Sequence, residues 1–342
     1  MLVAIGLFLA ALAGWEAYWR AERFVPSARN SAGLWALTRD RLDREGPGGT
    51  VIVGSSRAMF DLHLEAWRDE TGVLPVQLAL EGTNPRPFLR HVAQDTTFSG
   101  LVVVGVTEVL FFPPVDGLRA EVLAQYRDRT PADRLSQRIS MHVVEPYLAF
   151  YDPDTALFAL LRRQRFWPAR RNLTPQLPVV RKLANSRRTR QADMWNKVEQ
   201  DPAYRQIVRD TWLEFLNAPR PPPPPPEVMK REMQAVLDDV ADQVRAIRAR
   251  GGDVVFLRLP STGPFREAEH GGFPRERAWD PLLARADAAG VHFEDHPDLQ
   301  DVELPEWSHI RADQTDRFTR ALVARIRQAF EARGTPRREL GQ

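Results

Sequence analysis

Two short segments of this chain carry residue types that could do covalent chemistry. Gly54-Ser55-Ser56 closes a β-branched and apolar run, Thr50 to Val53. A serine hydroxyl at a sharp turn after a parallel strand lies where α/β sheets bind ligands, and the helix that follows offers backbone N–H groups to a developing oxyanion. Alone, the triplet reads as an ordinary strand-to-helix turn, in which glycine permits the bend and serine caps the helix. To act as a nucleophile Ser56 needs a base, and Glu306-Trp307-Ser308-His309, just ahead of the last helical stretch, offers one. His309 must come within about 2.6–3.2 Å of the hydroxyl, with an acid on its other ring nitrogen to fix the tautomer. Glu306 is the nearest acid in sequence, and Asp301 and Asp295 are the other candidates. Alone, His309 reads as well as a helix-capping or surface histidine.

A scaffold must bring position 56 to position 309, and the hydrophobic pattern predicts one. Thr50 to Val53 reads as a strand, followed by a tight turn and an amphipathic helix from about Met59 to Glu70. Leu74 to Leu80 gives a second apolar run closed by Glu81-Gly82-Thr83, a proline-started helix follows near Pro87, and Leu101 to Val106 gives a third strand. Strands alternating with helices indicate parallel βαβ units. After Pro114 the pattern turns to arginine- and aromatic-rich helical segments as far as about Leu216, with no further strand expected. Pro221 to Pro226 favours a polyproline II spacer of about 3.1 Å per residue. The α/β pattern then resumes: a helix from Glu227 to Arg250 stopped by Gly251-Gly252, a buried strand from Val254 to Leu259 ended by Pro260, and a helix from about Arg277 to Ala289. A short strand at Val291 to Phe293, the loop with His309 and a closing helix from about Ala312 to Ala332 complete it. The expected organisation is residues 1–20 as a transmembrane anchor, 45–113 and 227–333 as two parts of one α/β core, 114–220 as a helical insertion or lid, and 221–226 as a proline spacer.

The length, 342 residues, suits two average domains or one core with a large insertion. A net charge of +2 predicts little, and with Lys182, Lys197 and Lys230 as the only lysines the basic side is almost wholly arginine. There is no cysteine, which excludes disulfides, zinc–thiolate sites, iron–sulfur clusters and cysteine nucleophiles and leaves the redox compartment open. Leu2 to Ala13 carries no charge, and the run continues through Trp15, Tyr18 and Trp19 to Arg20. Roughly 18 helical residues at about 1.5 Å each span about 27 Å, enough for a hydrocarbon core with an aromatic belt at one end. The expectation is an uncleaved single-pass anchor; a signal peptide cut after Ala11-Leu12-Ala13 and a buried helix are the alternatives. Arg20, Arg23 and Arg29 follow the helix, so a positive-inside count leaves the main domain cytoplasmic, whereas a basic leader from an upstream start reverses it.

Together these features resemble the SGNH hydrolase superfamily, in particular its envelope-associated members with one N-terminal helix, such as the D-alanyl transfer and alginate O-acetylation proteins. The resemblance covers the core and not the insertion. The family's first block, Gly-x-Ser after the first strand, matches Gly54-Ser55-Ser56, with Arg57 directly behind it. The second, an oxyanion-binding glycine, matches Gly82 in Leu80-Glu81-Gly82-Thr83-Asn84, and the closing Asp-x-x-His matches Glu306 to His309 with glutamate for aspartate. The Gly-x-Asn-Asp block survives only as Gly105-Val106-Thr107-Glu108, so Thr107 stands where the family has an asparagine donor. Losing one oxyanion donor costs about 2.7–4 kcal/mol of transition-state stabilisation, part of which a threonine hydroxyl can recover.

The resemblance implies a three-layer, flavodoxin-like parallel sheet of SGNH type with Ser56, His309 and Glu306 as catalytic residues. Gly82 and Thr107 would be the oxyanion donors, with no cofactor. Arg57, Asn84 and, near the end of the fourth strand, Arg258 are the candidate substrate contacts. The activity implied is a serine esterase or O-acyltransferase that takes an acyl donor and modifies an envelope or exported glycan. The implied place is the bacterial inner membrane, single-pass, with the main domain extracytoplasmic and other envelope-complex proteins as partners. The alternative, which Glu306 and Thr107 support, is a catalytically weak SGNH-like protein that binds glycan or scaffolds a membrane complex. A cytoplasmic hydrolase of another type is the third option, raised by the arginines after the helix.

From Thr155 to Gln191 there is no acidic residue, while Arg162, Arg163, Arg165, Arg170 and Arg171 gather beside Phe158, Phe166 and Trp167. Segment 155–191 suits an anionic membrane surface, or else is the solvated face of an insertion. Nucleic acid is not expected, because no recognised module accompanies the charge. Pro260-Ser261-Thr262-Gly263-Pro264 reads as a loop, with a pocket wall as the alternative and Arg266 a further anion contact. His270, His292 and His296 assemble no ligand set, so no metal is expected, and no phosphate-binding glycine motif points to a nucleotide cofactor.

Overall fold

A computed structural model describes residues 1–44, 48–113, 119, 121–163, 180–219, 222–335 and 337–340. Helices α1 (Leu2–Ala21) and α2 (Ala32–Arg44) precede strand β1 (Thr50–Val53). Then come α3 (Ser56–Phe60), α4 (Leu64–Thr71), β2 (Val76–Gln77), α5 (Arg86–Gln94), β3 (Leu101–Val106) and α6 (Glu108–Phe111). Next are α7 (Glu121–Asp128), α8 (Pro131–Ile139) running on into a π-helical turn (Ser140–Val144), and α9 (Leu157–Arg162). Strands β4 (Ala184–Ser186) and β5 (Ala192–Met194), then α10 (Asn196–Gln200) and α11 (Pro202–Leu216), lead to α12 (Pro226–Arg248). The chain ends with β6 (Asp253–Arg258), α13 (Gly263–Gly272), α14 (Trp279–Ala286), β7 (Ala289–His292), α15 (Pro297–Gln300) and α16 (Thr315–Ala332).

Strands β1, β3 and β6 are buried along their whole length, which suits continuous apolar runs covered by helices on both faces. The sheet is parallel throughout, in the order β2-β1-β3-β6-β7, with Val51 opposite Val102 and Val103 opposite Val255. Counted within the sheet, this is the doubly wound order 2-1-3-4-5, whose switch point lies between β1 and β3. Alternate side chains feed two apolar layers. Ile52, Val103 and Leu257 pack with Trp67, Phe318 and Ile326 of α4 and α16, while Val53, Val104 and Phe256 pack with Trp35, Leu89, Val240 and Trp279 of α2, α5, α12 and α14.

Several expected boundaries move for local reasons. The helix expected from Met59 to Glu70 is two helices, because the His63 ring nitrogen accepts the Ala66 amide at 3.1 Å and starts α4 afresh. Gly263 to Gly272, expected to begin as a loop, is helix α13, with Pro264 in its first turn. The stretch expected to lack strands contains the β4–β5 antiparallel hairpin, whose three-residue strands are too short to show an alternating pattern. Pro221 lies outside the described residues, and Pro225 takes φ −54° and ψ 146°, close to polyproline II, before Pro226 opens α12.

The segment between β3 and α12 is welded to the core. Arg190, fully buried, donates to the Gln77 and Ala79 carbonyls at 2.5 and 2.8 Å, and Gln191 accepts the Leu64 amide at 2.8 Å. Of segment 155–191, residues 164–179 lie outside the described residues. Helix α1 is long and apolar enough to cross a membrane, with mean hydropathy 1.6 and almost none of that stretch buried. Its last turn is the exception: Trp19 meets Phe24 edge to face at 4.9 Å, and Phe24 packs at a tilt against Trp195 at 4.8 Å.

Candidate active site

Gly54 ends β1 and lets α3 settle directly over the sheet. A Cβ on Gly54 would stand 2.6 Å from the Ala58 Cβ, and one on Gly105 of β3 would stand 3.0 Å from the same atom. The two glycines and Ala58 therefore bring the start of α3 down between the carboxyl ends of β1 and β3. Across that switch point the Ser55 and Thr107 hydroxyls are paired at 2.8 Å. Of residues 51–62, Ser56 alone is not buried, and among the described residues its hydroxyl makes no hydrogen bond.

The loop of residues 306–310 runs alongside α3. The Arg57 Nε donates to the Ser308 hydroxyl at 3.2 Å, the Phe60 ring stacks on the His309 imidazole at 4.1 Å, and the Ile310 amide donates to Asp61 at 3.0 Å. Ser56 lies one helical turn before Phe60, at the start of α3, and among the described residues no hydrogen bond joins its hydroxyl to the His309 ring.

Of the three candidate acids, Glu306 is the one on His309. Its Oε1 takes the His309 Nδ1 at 2.8 Å and the His309 amide at 2.7 Å, and its Oε2 accepts the Trp212 indole N–H at 2.5 Å. Asp301 and Asp295 instead pair with Arg317 and Arg275 at the surface. Burial pushes the Glu306 carboxyl up, but the His309 ring and these hydrogen bonds outweigh it and hold it below its ordinary value. An ionised carboxylate can only accept, so Nδ1 carries a proton, and when the ring is neutral Nε2 is a lone-pair acceptor. That Nε2 is buried and has no partner among the described residues. Trp307 adopts φ 74°, which folds the loop back on Glu306; a bulky residue there stores about 1–3 kcal/mol of strain.

Beneath α3 lies a buried chain of charges. Arg57 donates to Glu269 at 2.7 Å, Glu269 also accepts Arg258 at 2.5 Å and the Ser261 hydroxyl at 2.6 Å, and Arg258 pairs with Glu108. Burial would raise the Glu269 carboxyl, but the two arginines hold it down to about 2. Burial dominates at Glu108 and raises it. Arg258 is thus committed within the protein, while Arg57 keeps one nitrogen, Nη1, buried and unpartnered among the described residues. Gly82, at φ 59°, lies just past Leu80, whose amide bonds the Gly54 carbonyl at 3.0 Å. Asn84 is buried and its side-chain oxygen accepts the Arg86 amide at 3.0 Å, and Arg266 pairs with Glu294 nearer the surface.

Glu306 and His309 are therefore brought together, Arg57 reaches their loop through Ser308, and Thr107 pairs with Ser55 next to Ser56. Four participants were not among the sequence candidates: Phe60, Asp61, Trp212 and Glu269. Glu269 sits on the unexpected helix α13, and Thr262-Gly263-Pro264 was its one visible start signal. Nothing in the sequence around Trp212 of α11 ties it to position 306. Among the described residues no cluster of three or more histidine, aspartate or glutamate side chains is placed to hold a metal ion. A cavity of about 550 Å³ lies elsewhere, lined by Arg29, Ser31, Gln137 and Tyr151, and holds none of these residues. Comparison of the chain with protein-family models, with curated proteins and with solved structures gives no match.

Proposed function

We propose that this protein is a membrane-anchored serine esterase or O-acyltransferase of SGNH type, acting on an envelope or exported glycan at the bacterial inner membrane from its extracytoplasmic side. The observation that carries the reading is the buried Glu306–His309 pair, 2.8 Å apart, whose second ring nitrogen is unpartnered among the described residues and whose ring stacks on Phe60 at the end of α3. Buried polar atoms are normally satisfied, so the orphan imidazole nitrogen is open to accept a hydroxyl proton, and Ser56, half-buried one helical turn before the Phe60 that stacks on the ring, is the candidate donor.

In the proposed reaction His309 Nε2 takes the Ser56 hydroxyl proton as the oxygen attacks an ester or thioester carbonyl. The Nδ1–H remains on Glu306, which stabilises the imidazolium and keeps the ring oriented. The Ser56 and Gly82 amides would meet the oxyanion. The Ser55–Thr107 pair holds two hydroxyl protons and uses one between its members, which leaves the other to donate. Collapse expels the leaving group with the proton from His309 and leaves an acyl-Ser56 ester. Water as the second nucleophile gives an esterase, and a sugar hydroxyl gives a transferase.

A fluorophosphonate probe tests this directly. The full chain should be labelled, and Ser56→Ala and His309→Ala should each abolish labelling. An unlabelled wild type, under conditions where a control serine hydrolase reacts, would transfer the site to the glycan-binding or scaffold role.

A further inference from the structure

Helix α8 and the π-helical turn after it expose a row of apolar side chains. Leu135, Ile139 and Val143 are 59, 48 and 62 % exposed, and their four-residue spacing lines them along one face; Tyr147, 65 % exposed, follows just beyond the turn. Scattered exposed apolar residues need no explanation, but a contiguous row does. One position behind it runs a second exposed row, Arg134, Arg138 and His142, and no acidic residue occurs from Arg134 to Val144.

The far end of the row is bonded to the helix that can cross a membrane. Arg20 donates to the Tyr147 carbonyl at 2.9 Å, and Glu16 accepts the Ala149 and Phe150 amides at 3.0 Å each. These bonds fix the last turn of α1, where Trp15 and Tyr18 stand exposed at the end of the uncharged stretch. A second exposed apolar pair, Leu157 and Leu161 of α9, begins beside the same anchor point, since the Thr155 hydroxyl bonds the Phe150 carbonyl.

We propose that this face of α8 and its π-helical turn lies in the bilayer interface. Its apolar row enters the acyl–headgroup boundary and its basic row rests on anionic lipid phosphates. This rests on reading α1 as a spanning helix, and goes beyond it: the domain is held flush on the membrane by two attachments instead of hanging from one. An apolar face edged with arginine is the composition that interfacial helices use, and stable attachment generally takes a second signal beside the first.

The chain has no cysteine, so single cysteines can be introduced cleanly. Full-length Ile139→Cys, Val143→Cys, Phe8→Cys and Glu276→Cys, each carrying an environment-sensitive fluorophore, would be placed in phosphatidylcholine–phosphatidylglycerol vesicles. Nitroxide lipids would quench from the headgroup level or from the bilayer centre. Phe8 reports α1, and Glu276 is an exposed reference near the β7 edge of the sheet. The expected result is quenching of position 8 from the centre, quenching of 139 and 143 by half or more from the headgroup level, and none at 276. If position 8 is quenched while 139 and 143 behave like 276, the interfacial face is overturned and the spanning helix stands. If position 8 is not quenched, both fall. Replacing phosphatidylglycerol by phosphatidylcholine should weaken quenching at 139 and 143, and unchanged quenching overturns the role of the basic row.

Discussion

Asp61 shows what one buried side chain contributes to this site. It sits at the end of α3 with one oxygen on the Ile310 amide and the other buried and unpartnered among the described residues. Burial pushes its carboxyl up to about 7, against the opposing pull of the His309 ring and the Ile310 amide. In the unfolded chain the same group titrates near pH 3.9. Between these values the folded state holds a proton that the unfolded chain has released, so its stabilisation is complete below about pH 4 and is lost as pH rises through about 7. Asp61→Asn keeps the acceptor for Ile310 and removes the titration. Its unfolding free energy in urea should therefore gain on wild type by on the order of 4 kcal/mol from low to neutral pH. A difference that stays constant across that range would count against a raised carboxyl. The residue types at 56, 306 and 309 were legible from the sequence because their order and spacing suggest a nucleophile, an acid and a base. Asp61 was not, since an aspartate in the first turn of an expected long helix gives no sign of being buried.

At the scale of elements, the site depends on how closely α3 can approach β1 and β3. The approach is permitted by small residues, Gly54 and Gly105 facing Ala58. Gly54→Ala places a methyl 2.6 Å from the Ala58 Cβ, which must push α3 outward. The expected cost is about 1–3 kcal/mol, read as a lower urea midpoint. Adding Ala58→Gly returns the space and should recover the loss, apart from about 1 kcal/mol for glycine within a helix. If the double variant is no more stable than Gly54→Ala, steric approach is not what fixes α3. The strands themselves were legible, with Thr50–Val53 and Leu101–Val106 found where the apolar runs put them. Helix α13 was not, because glycines and prolines at its ends look like a loop in one dimension.

For the whole molecule, the segment between β3 and α12 completes the site. Arg190 and Gln191 tie it to the core, and Trp212 of α11 reaches across to Glu306. Trp212→Phe keeps the ring and removes the N–H. A hydrogen bond to a charged group contributes about 1.5–3 kcal/mol, so labelling of Ser56 by the fluorophosphonate should slow roughly ten-fold or more with the fold retained by circular dichroism. Labelling at the wild-type rate would leave the segment a structural cover only.

By itself the sequence determined the α/β core, its division by a long intervening segment, the apolar N-terminal helix and the residues most fit for nucleophile–base chemistry. These follow from composition, period and short-range spacing, which act between near neighbours in the chain. Only the tertiary structure decided that Glu306 and not Asp301 or Asp295 holds His309, that Arg258 is spent on Glu108 and Glu269, and that Trp212 belongs to the site. Those are contacts between residues far apart in the chain, or a choice among several acids that precede the histidine. Burial and packing set them, and both exist only once the sheet and its two helical layers have closed.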